Sequence, residues 1–301
     1  MTFEATRRRW LELMGHGAAA ALVLPSAAAN ARPKTGDGLV ATIAAIEEKL
    51  GGRIGVSIHD TDSGRRWDHR GDERFPMCST FKLLAAAAIL ERVDDGTDSL
   101  ERRVIIREQD LVDYSPVLKD RVGGSGATLA TICRAAVTLS DNTAGNMMLK
   151  SIGGPQGFTA FMRSLGDGVT RLDRREPELN TAIPGDERDT TSPRAMTASV
   201  ETLLFGRTLS PRSRRQLADW MLDCRTGDGK LRAGLPKRWR IGEKTGGGSN
   251  GTSNDVAVIW PPVRDAVIVS VFATGSSASP EARNGAIASI GKALAETIRS
   301  S

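Results

Sequence analysis

Ser79-Thr80-Phe81-Lys82, followed by the apolar run Leu83 to Val93, is the stretch around which the chain is organised. The pattern predicts a helix over residues 79–93 that begins at the serine. Positions i and i+3 share one helix face, with Cβ atoms about 5–6 Å apart, so the Lys82 amine can reach the Ser79 hydroxyl. Unpaired N–H groups in the first turn favour developing negative charge. The stretch therefore fits a nucleophilic serine, but it fits a helix-capping serine beside a surface-reaching lysine equally well.

Composition places the chain among globular proteins. It has 301 residues, 40% hydrophobic and 26% charged, enough for one large domain or two lobes that share a core. The net charge of +5 is spread along the chain, and aromatic residues make up only 4%. Because nucleic-acid-binding proteins concentrate basic charge and often interleave it with aromatic rings, we expect no nucleic-acid partner.

Residues 1–31 have the features of an export signal. Thr6-Arg7-Arg8-Arg9-Trp10-Leu11 precedes an apolar stretch, His16 to Ala29, and Ala29-Asn30-Ala31 offers a cleavage step. The arginine pair followed by an aromatic residue and a leucine resembles a twin-arginine signal, although general secretory signals also begin with basic residues. We expect a mature chain that begins near Arg32 and works in the periplasm or is secreted. The apolar stretch is too short and too rich in Ala and Gly for a convincing span, so we expect no stable membrane anchor.

Histidine is scarce, which limits the possible chemistry. His16 lies in the signal, and His59 and His69 flank a turn at Asp62-Ser63-Gly64 in a predicted hairpin. We interpret His59 and His69 as strand-surface residues. A zinc hydrolase needs three or more His, Cys or carboxylate ligands, and a Ser-His-Asp triad needs a histidine base. A serine enzyme here would therefore use lysine or a carboxylate as its base, and no metal is expected.

Segments with strand patterns bracket a helical middle. Helical spacing covers residues 39–50 and 280–301, and further helices are predicted over 107–113, 128–138, 141–151, 155–165, 192–204 and 211–223. Strands are predicted over 54–58, 65–68, 239–244, 255–260 and 267–274, with turns at Gly246-Gly247-Gly248 and Pro261-Pro262. This order predicts two lobes, one formed by residues 32–77 with 222–301 and the other by 78–221. A cleft between lobes is where small-molecule sites usually lie.

Three further motifs carry chemical groups. Ser140-Asp141-Asn142 sets a hydroxyl and an amide in a turn, and Lys244-Thr245-Gly246 ends a predicted strand with a cation and a hydroxyl. Glu176-Pro177-Glu178-Leu179-Asn180 lies in a long irregular stretch, residues 165–191, and places a carboxylate and an amide where they can hold one water. Arg174 and Asp189 could close the neck of this stretch as an ion pair. Each motif alone also fits a structural role, namely a helix cap, a strand-end turn or a solvated acidic loop.

The four motifs together, in this order and over roughly Leu39 to Ile298, closely resemble those of class A serine β-lactamases. The resemblance implies an α/β fold of the α+β type with two lobes. One lobe is all-helical, the other is an antiparallel five-stranded sheet flanked by the N- and C-terminal helices, and the active site lies between them. It further implies a cofactor-free monomer that hydrolyses penicillins and cephalosporins, its small-molecule β-lactam substrates, through an acyl-serine.

The resemblance also implies roles for individual residues. Ser79 attacks the lactam carbonyl, Lys82 helps to activate it, and Ser140 passes a proton toward the lactam nitrogen. Glu176, with Asn180, activates the deacylating water, and the base for acylation is either Lys82 or Glu176 acting through water. The N–H groups of Ser79 and Gly247 would form the oxyanion hole. The implied substrate-binding residues are Tyr114, Asn142, Asn180, Lys230, Lys244, Thr245, Gly246 and Gly247.

Some positions depart from the family pattern. Cys133 and Cys78 lack their frequent partners because Ala86 and Gly248 stand there, so we expect no family disulfide. The frequent arginine after Lys-Thr-Gly is also missing, since Thr252 and Ser253 occupy that region, and Lys230 matches a position where other members place a compensating arginine. We hypothesise that Lys230 assists Lys244, more weakly than an arginine would because lysine lacks a bidentate fork.

Two other functions remain open on the sequence. A D-Ala-D-Ala carboxypeptidase or transpeptidase shares the serine, the lysine and the cleft but deacylates penicillin poorly, and the Glu176/Asn180 pair speaks against it. A penicillin-binding sensor domain is acylated once and then signals. The chain shows no convincing transmembrane segment in its sequence, and this disfavours the sensor.

Overall fold

The computed structural model describes residues 35–300, with side chains from residue 38 onward. The predicted export signal, residues 1–31, lies outside these described residues. No helix between residues 35 and 300 has the length and apolar character that crossing a bilayer requires.

A five-stranded antiparallel sheet forms the frame of the molecule, as predicted. In spatial order its strands are β2, β1, β9, β8 and β7, so β7 lies at an edge. Their bounds are β1 (Arg53–Asp60), β2 (Arg66–His69), β7 (Arg240–Gly248), β8 (Thr252–Trp260) and β9 (Val267–Thr274). Two short pairs complete the strands: β3 (Phe75–Pro76) with β6 (Thr190–Thr191), and β4 (Arg103–Val104) with β5 (Ala127–Thr128).

Nine α-helices surround this sheet in the described part of the chain. They are α1 (Thr35–Leu50), α2 (Phe81–Asp94), α3 (Leu129–Thr138), α4 (Asn142–Ser151), α5 (Gly154–Ser164), α6 (Pro193–Phe205), α7 (Pro211–Leu222), α8 (Leu231–Gly234) and α9 (Pro280–Arg299). Side-chain caps begin five of them, because the N-cap oxygen accepts the N–H three residues on. The capping residues are Thr128, Asp141, Ser192, Ser210 and Ser279.

The two faces of the sheet belong to separate hydrophobic cores. Val269 and Val271 point to one face, where they share a cluster with residues of α1 and α9 such as Ile43 and Leu294. Phe272 belongs to the other cluster, with the helices of residues 81–222. Within that second core α2 is buried from Phe81 to Leu90. Burying a side chain of the size of Phe81 contributes about 1.5–3 kcal/mol, so α2 is a rigid support for the residues that precede it.

Three predicted elements differ from the structure. Only Glu108–Asp110 of the predicted helix 107–113 is helical, as a 3-10 turn, because Arg107 and Leu111 have extended backbones with ψ 159° and 134°. The helix predicted to begin at Ser79 begins at Phe81, after a 3-10 turn over Cys78–Thr80. The predicted glycine turn at 246–248 was wrong, since β7 runs on through Gly248.

The prediction that His59 and His69 are strand-surface residues was also wrong. Both lie on the hairpin strands β1 and β2, but both are largely covered. The reason is that each ring contacts a carboxylate from a neighbouring helix: His59 Nδ1 lies 2.9 Å from Glu201, and His69 Nε2 lies 2.7 Å from Glu47.

Candidate active site

Ser79 is held in place by the bend that precedes α2. Cys78 adopts φ +46°, a left-handed conformation uncommon for a non-glycine residue, and this strain turns the chain from β3 into the helix. Asn254 on β8 donates hydrogen bonds to the carbonyl oxygens of Pro76 and Met77 at 2.8 and 3.0 Å. The sheet therefore fixes the bend, and Ser79 is presented where the sheet meets the helices.

Lys82 is the centre of the hydrogen-bond network. Its Nζ donates to Ser79 Oγ at 2.9 Å and forms an ion pair with Glu176 Oε1 at 2.9 Å. It also donates to two groups of the Ser-Asp-Asn turn, the carbonyl oxygen of Ser140 at 2.8 Å and Asn142 Oδ1 at 2.7 Å. Burial lowers the pKa of Lys82 from its usual 10.5, and the charge of Glu176 opposes that shift. The predicted Ser79–Lys82 contact is confirmed.

Glu176 reaches the serine from the long loop. Its Oε1 accepts from Ser79 Oγ at 3.3 Å, and its Oε2 accepts a short hydrogen bond from Asn180 Nδ2. The side chain is buried, although it lies in a connecting segment rather than in a helix or strand. The carboxylate thus has one oxygen toward Ser79 and Lys82 and the other toward Asn180.

The backbone of Glu176 is clamped by Asn146, a residue that the sequence analysis did not single out. Asn146 Oδ1 accepts from the Glu176 N–H at 3.0 Å, and Asn146 Nδ2 donates to the Glu176 carbonyl oxygen at 2.9 Å. Asn146 lies on α4, one helical turn after Asn142. The only signal in the sequence is this i+4 spacing, which places both amides on one helix face.

The neck of the loop is closed by the predicted ion pair. Arg174 Nε lies 2.5 Å from Asp189 Oδ2, and Asp189 Oδ1 accepts the N–H groups of Asp173 and Arg174 at 2.7 and 2.9 Å. The side chain of Asp189 is 1% exposed, so this is a buried, multiply bonded carboxylate rather than a surface pair. It ties the start and the end of the loop together.

Ser140 and Lys244 meet across the cleft. Lys244 Nζ on β7 donates to Ser140 Oγ at 3.0 Å and to the carbonyl oxygen of Thr245 at 2.6 Å. Ser140 itself has φ +60°. Burial, and secondarily the nearby charge of Lys82, lowers the pKa of Lys244 to about 7. Ser140 is therefore held by two buried amines, its hydroxyl by Lys244 and its carbonyl oxygen by Lys82.

Asn142 connects Lys82 with the loop that carries Tyr114. While its Oδ1 accepts from Lys82, its Nδ2 donates to the carbonyl oxygen of Asp113 at 2.9 Å, and its N–H donates to that of Tyr114 at 3.0 Å. The Tyr114 side chain is exposed. Asp141 caps α4 by accepting from the Ala144 N–H, so the motif also has the structural role considered above.

Close backbone approach explains the glycines of the β7 edge. A Cβ on Gly246 would lie 2.8 Å from the Met77 carbonyl oxygen, and one on Gly248 would lie 2.5 Å from that of Asn180. Only glycine allows the strand to approach the serine segment and the loop at once. Because β7 pairs with β8 alone among the strands of residues 35–300, alternate N–H groups near Gly247 face away from the sheet.

Lys230 supports β8 and Thr226 supports β7 beside the active site. Lys230 Nζ donates to Ser253 Oγ at 2.7 Å and to the Asn254 carbonyl oxygen at 3.0 Å, and burial lowers its pKa. It makes no direct contact with Lys244 among the described residues. Thr226 Oγ1 lies 2.5 Å from Thr245 Oγ1 and orients that hydroxyl. Thr226 and Asn254 were not found from sequence, because neither lies in a motif.

The described residues provide few groups for metal binding or for a cysteine nucleophile. Between residues 35 and 300 there is no cluster of three or more His, Cys, Asp or Glu side chains able to hold a metal ion. The three cysteines of this region are free and buried, and burial raises the pKa of the Cys78 thiol to about 12. A thiol with so high a pKa is a poor nucleophile, and Ser79, in contrast, has the Lys82 amine and the Glu176 carboxylate within reach as bases.

Comparisons with known proteins agree with this geometry. The Beta-lactamase enzyme family matches residues 38–298. Beta-lactamase AER-1 of Aeromonas hydrophila is 46% identical over 260 residues, which is 86% of this chain and 86% of AER-1. Beta-lactamase L2 of Stenotrophomonas maltophilia is 43% identical over 294 residues, 95% of this chain and 97% of L2. The structure of the last common ancestor of Gram-negative class A β-lactamases has a TM-score of 0.85 and 55% identity, covering 87% of this chain and 99% of its own.

Proposed function

The chain belongs to the class A serine β-lactamases, and we propose how its residues divide the reaction of that family. As a β-lactamase it hydrolyses β-lactams and confers resistance to them. One observation carries the proposal: Ser79 Oγ lies 2.9 Å from the Lys82 amine and 3.3 Å from the Glu176 carboxylate. A nucleophile with two bases in reach can be activated for attack and later released.

Ser79 forms the acyl-enzyme. Transfer of a proton from Lys82 Nζ to Glu176 Oε1, across their 2.9 Å contact, leaves a neutral amine facing the Ser79 hydroxyl. This transfer also removes two opposite charges from a buried site, where an ion pair gains little over its desolvation cost. The amine takes the hydroxyl proton as Oγ attacks the lactam carbonyl. The proton now on Lys82 then passes through the Ser140 hydroxyl to the lactam nitrogen as the C–N bond breaks.

Glu176 and Asn180 release the product. Once Glu176 has returned its proton to the Lys82 amine across their 2.9 Å contact, its carboxylate and the Asn180 amide orient one water toward the acyl carbonyl. Glu176 takes a proton from this water as the oxygen attacks and gives it to Ser79 Oγ as the ester bond breaks. The serine is thereby regenerated. Support comes from the hydrogen bond that Asn180 donates to Glu176 Oε2 and from the two Asn146 bonds that hold the Glu176 backbone.

The proposed substrates are penicillins and cephalosporins, whose shared carboxylate is held by Lys244 and Thr245. Lys230 adds positive charge near that pair, because its amine donates to the carbonyl oxygens of Gly246 on β7 and Asn254 on β8. Asn142 and Tyr114 border the cleft mouth and bind the substrate side chain. The N–H groups of Ser79 and Gly247 stabilise the oxyanion. This set would place the substrate carboxylate beside Lys244 and the lactam carbonyl oxygen beside two backbone N–H groups.

Turnover of benzylpenicillin by the purified protein tests the proposal. We expect repeated loss of the β-lactam absorbance and no adduct in the intact mass after the substrate is consumed. A D-Ala-D-Ala peptidase or a sensor would instead retain a stable penicilloyl adduct, and that result would overturn the proposal. The Glu176 contacts with Ser79 and Lys82 favour hydrolysis over either alternative.

We also propose export through the twin-arginine route to the periplasm or beyond. The support is the sequence pair Arg7-Arg8 followed by Trp10-Leu11. Replacing both arginines of the pair, Arg7→Lys with Arg8→Lys, should keep β-lactamase activity in the cytoplasmic fraction. Unchanged appearance of activity outside the cytoplasm would contradict the route.

A further inference from the structure

A second concave site lies at the outer side of the loop neck and contains none of the residues assigned to catalysis or substrate binding. It is a cavity of about 430 Å³ whose lining includes Arg74, Arg163, Arg171 and Asp173 together with Gln156 and Thr159. The lining joins Arg74, which directly precedes β3, with α5 and the first part of the loop. Three guanidinium groups and one carboxylate give this small surface an excess of positive charge.

Arg171 does not contribute to that excess, because it is already paired. Its Nε and Nη2 donate to the Asp173 carboxylate at 3.0 and 2.6 Å. Arg74 and Arg163, in contrast, have no carboxylate partner among the described residues. Two guanidinium charges of the cavity are therefore uncompensated.

Arg74 and Arg163 also keep unused donors. Arg74 donates through Nη1 alone, to the Val169 carbonyl oxygen at 2.9 Å and to Thr190 Oγ1 at 3.1 Å. Arg163 likewise donates through Nη1 alone, to the Thr170 carbonyl oxygen at 2.8 Å and to that of Asp167. In the described part of the chain, the Nε and Nη2 groups of both arginines have no protein acceptor. These bonds hold the guanidinium groups in place and leave their remaining N–H groups for a ligand.

We propose that this cavity is a binding site for a tetrahedral oxyanion, either inorganic phosphate or a small phosphate monoester. Two fixed guanidinium groups offer the planar N–H pairs that bind such oxygens bidentately. The Gln156 amide, exposed and without a protein partner among the described residues, adds a neutral donor. An anion held between Arg74 and Arg163 links the segment that precedes β3 to α5. Because Arg74 donates to Val169 and Thr190, the anion also links both ends of the loop.

Inorganic phosphate is the probe, titrated at constant ionic strength against chloride. Calorimetry should give saturable binding, and the thermal unfolding midpoint should rise with it, because a ligand of the native state stabilises that state. Gln156→Glu places a carboxylate in the lining without removing a structural bond. By like-charge repulsion it should weaken phosphate binding roughly tenfold.

Gln109→Glu is the matched control, since it adds the same charge at an exposed glutamine outside the cavity. It should bind phosphate as the unmodified protein does. Arg163→Gln removes one of the two guanidinium groups proposed to bind phosphate, but it also removes the bonds to the Asp167 and Thr170 carbonyl oxygens. If Arg163→Gln does not fold, the Gln156→Glu variant decides the outcome. Non-saturable binding, or equal weakening by Gln156→Glu and Gln109→Glu, would overturn the proposal. Neither result depends on β-lactam hydrolysis.

Discussion

Asn146→Ala is predicted to uncouple deacylation from acylation. The change removes both hydrogen bonds that hold the Glu176 peptide, at 3.0 and 2.9 Å, and leaves a partly buried N–H and C=O without a protein partner. At about 1 kcal/mol for each bond, plus the cost of the unpaired groups, we expect about 2–4 kcal/mol of destabilisation. A shift of Glu176 that costs even 1.4–2.7 kcal/mol in the deacylation transition state slows that step roughly 10- to 100-fold. Acylation should fall less, since Lys82 remains in place.

The assay is stopped-flow kinetics with benzylpenicillin, with intact mass measured during turnover. A burst and an accumulating acyl-enzyme are expected for Asn146→Ala. Asn250→Gly is the matched control: Asn250 also donates to two loop carbonyls, those of Thr181 and Ala182 at 3.1 and 2.9 Å, and glycine keeps its φ of +53°. The control should lose stability without accumulating acyl-enzyme. If both variants slow acylation and deacylation equally, the positioning argument is refuted.

Three further outcomes follow from buried charges near β7. With a pKa of about 7, Lys244 loses its charge as the pH rises, so KM for penicillins should increase between roughly pH 6 and 8, whereas Lys244→Arg should give a flatter profile. Burial and the charge of Glu243 raise the pKa of Asp255 well above its usual value, so the stabilising contribution of Asp255 is lost as the pH rises. In chemical denaturation at pH 7, Asp255→Asn should therefore have an unchanged free energy of unfolding or one that is higher by about 1–2 kcal/mol. Asp255→Ala should be destabilised. Lys230→Ala should raise KM for penicillins with little change in kcat, and an unchanged KM would end the idea that Lys230 assists Lys244.

Local spacing made the contact between Ser79 and Lys82 predictable. Ser79 and Lys82 are three residues apart on consecutive helical turns, and the contact of 2.9 Å follows from backbone geometry. The Arg174–Asp189 pair and the individual strands were predicted on similarly simple grounds, opposite charge and apolar patterning. The joining of the strands into one five-stranded sheet was what the family resemblance implied. The contact, the ion pair and the strands depend on interactions that the sequence pattern itself specifies.

Contacts between distant segments were not predictable in the same way. Gly246 and Gly248 looked like a turn because glycine permits turns, but here glycine permits close approach to Met77 and Asn180. The choice between the two uses depends on what packs against the strand. Asn146 carries no motif either, since its partner is the backbone of a residue 30 positions away. Tertiary packing decides these cases.

The central claim is that Ser79 makes the acyl-enzyme and Glu176 releases it, and intact mass after exposure to benzylpenicillin tests it most directly. Glu176→Ala should carry a persistent adduct of one penicillin mass, because deacylation loses its base while Ser79 can still be activated. Without the Glu176 charge that raises the pKa of Lys82, burial alone favours the neutral amine that takes the serine proton. Ser79→Ala should carry none. Rapid release of the adduct by Glu176→Ala, or an adduct on Ser79→Ala, would contradict the assignment.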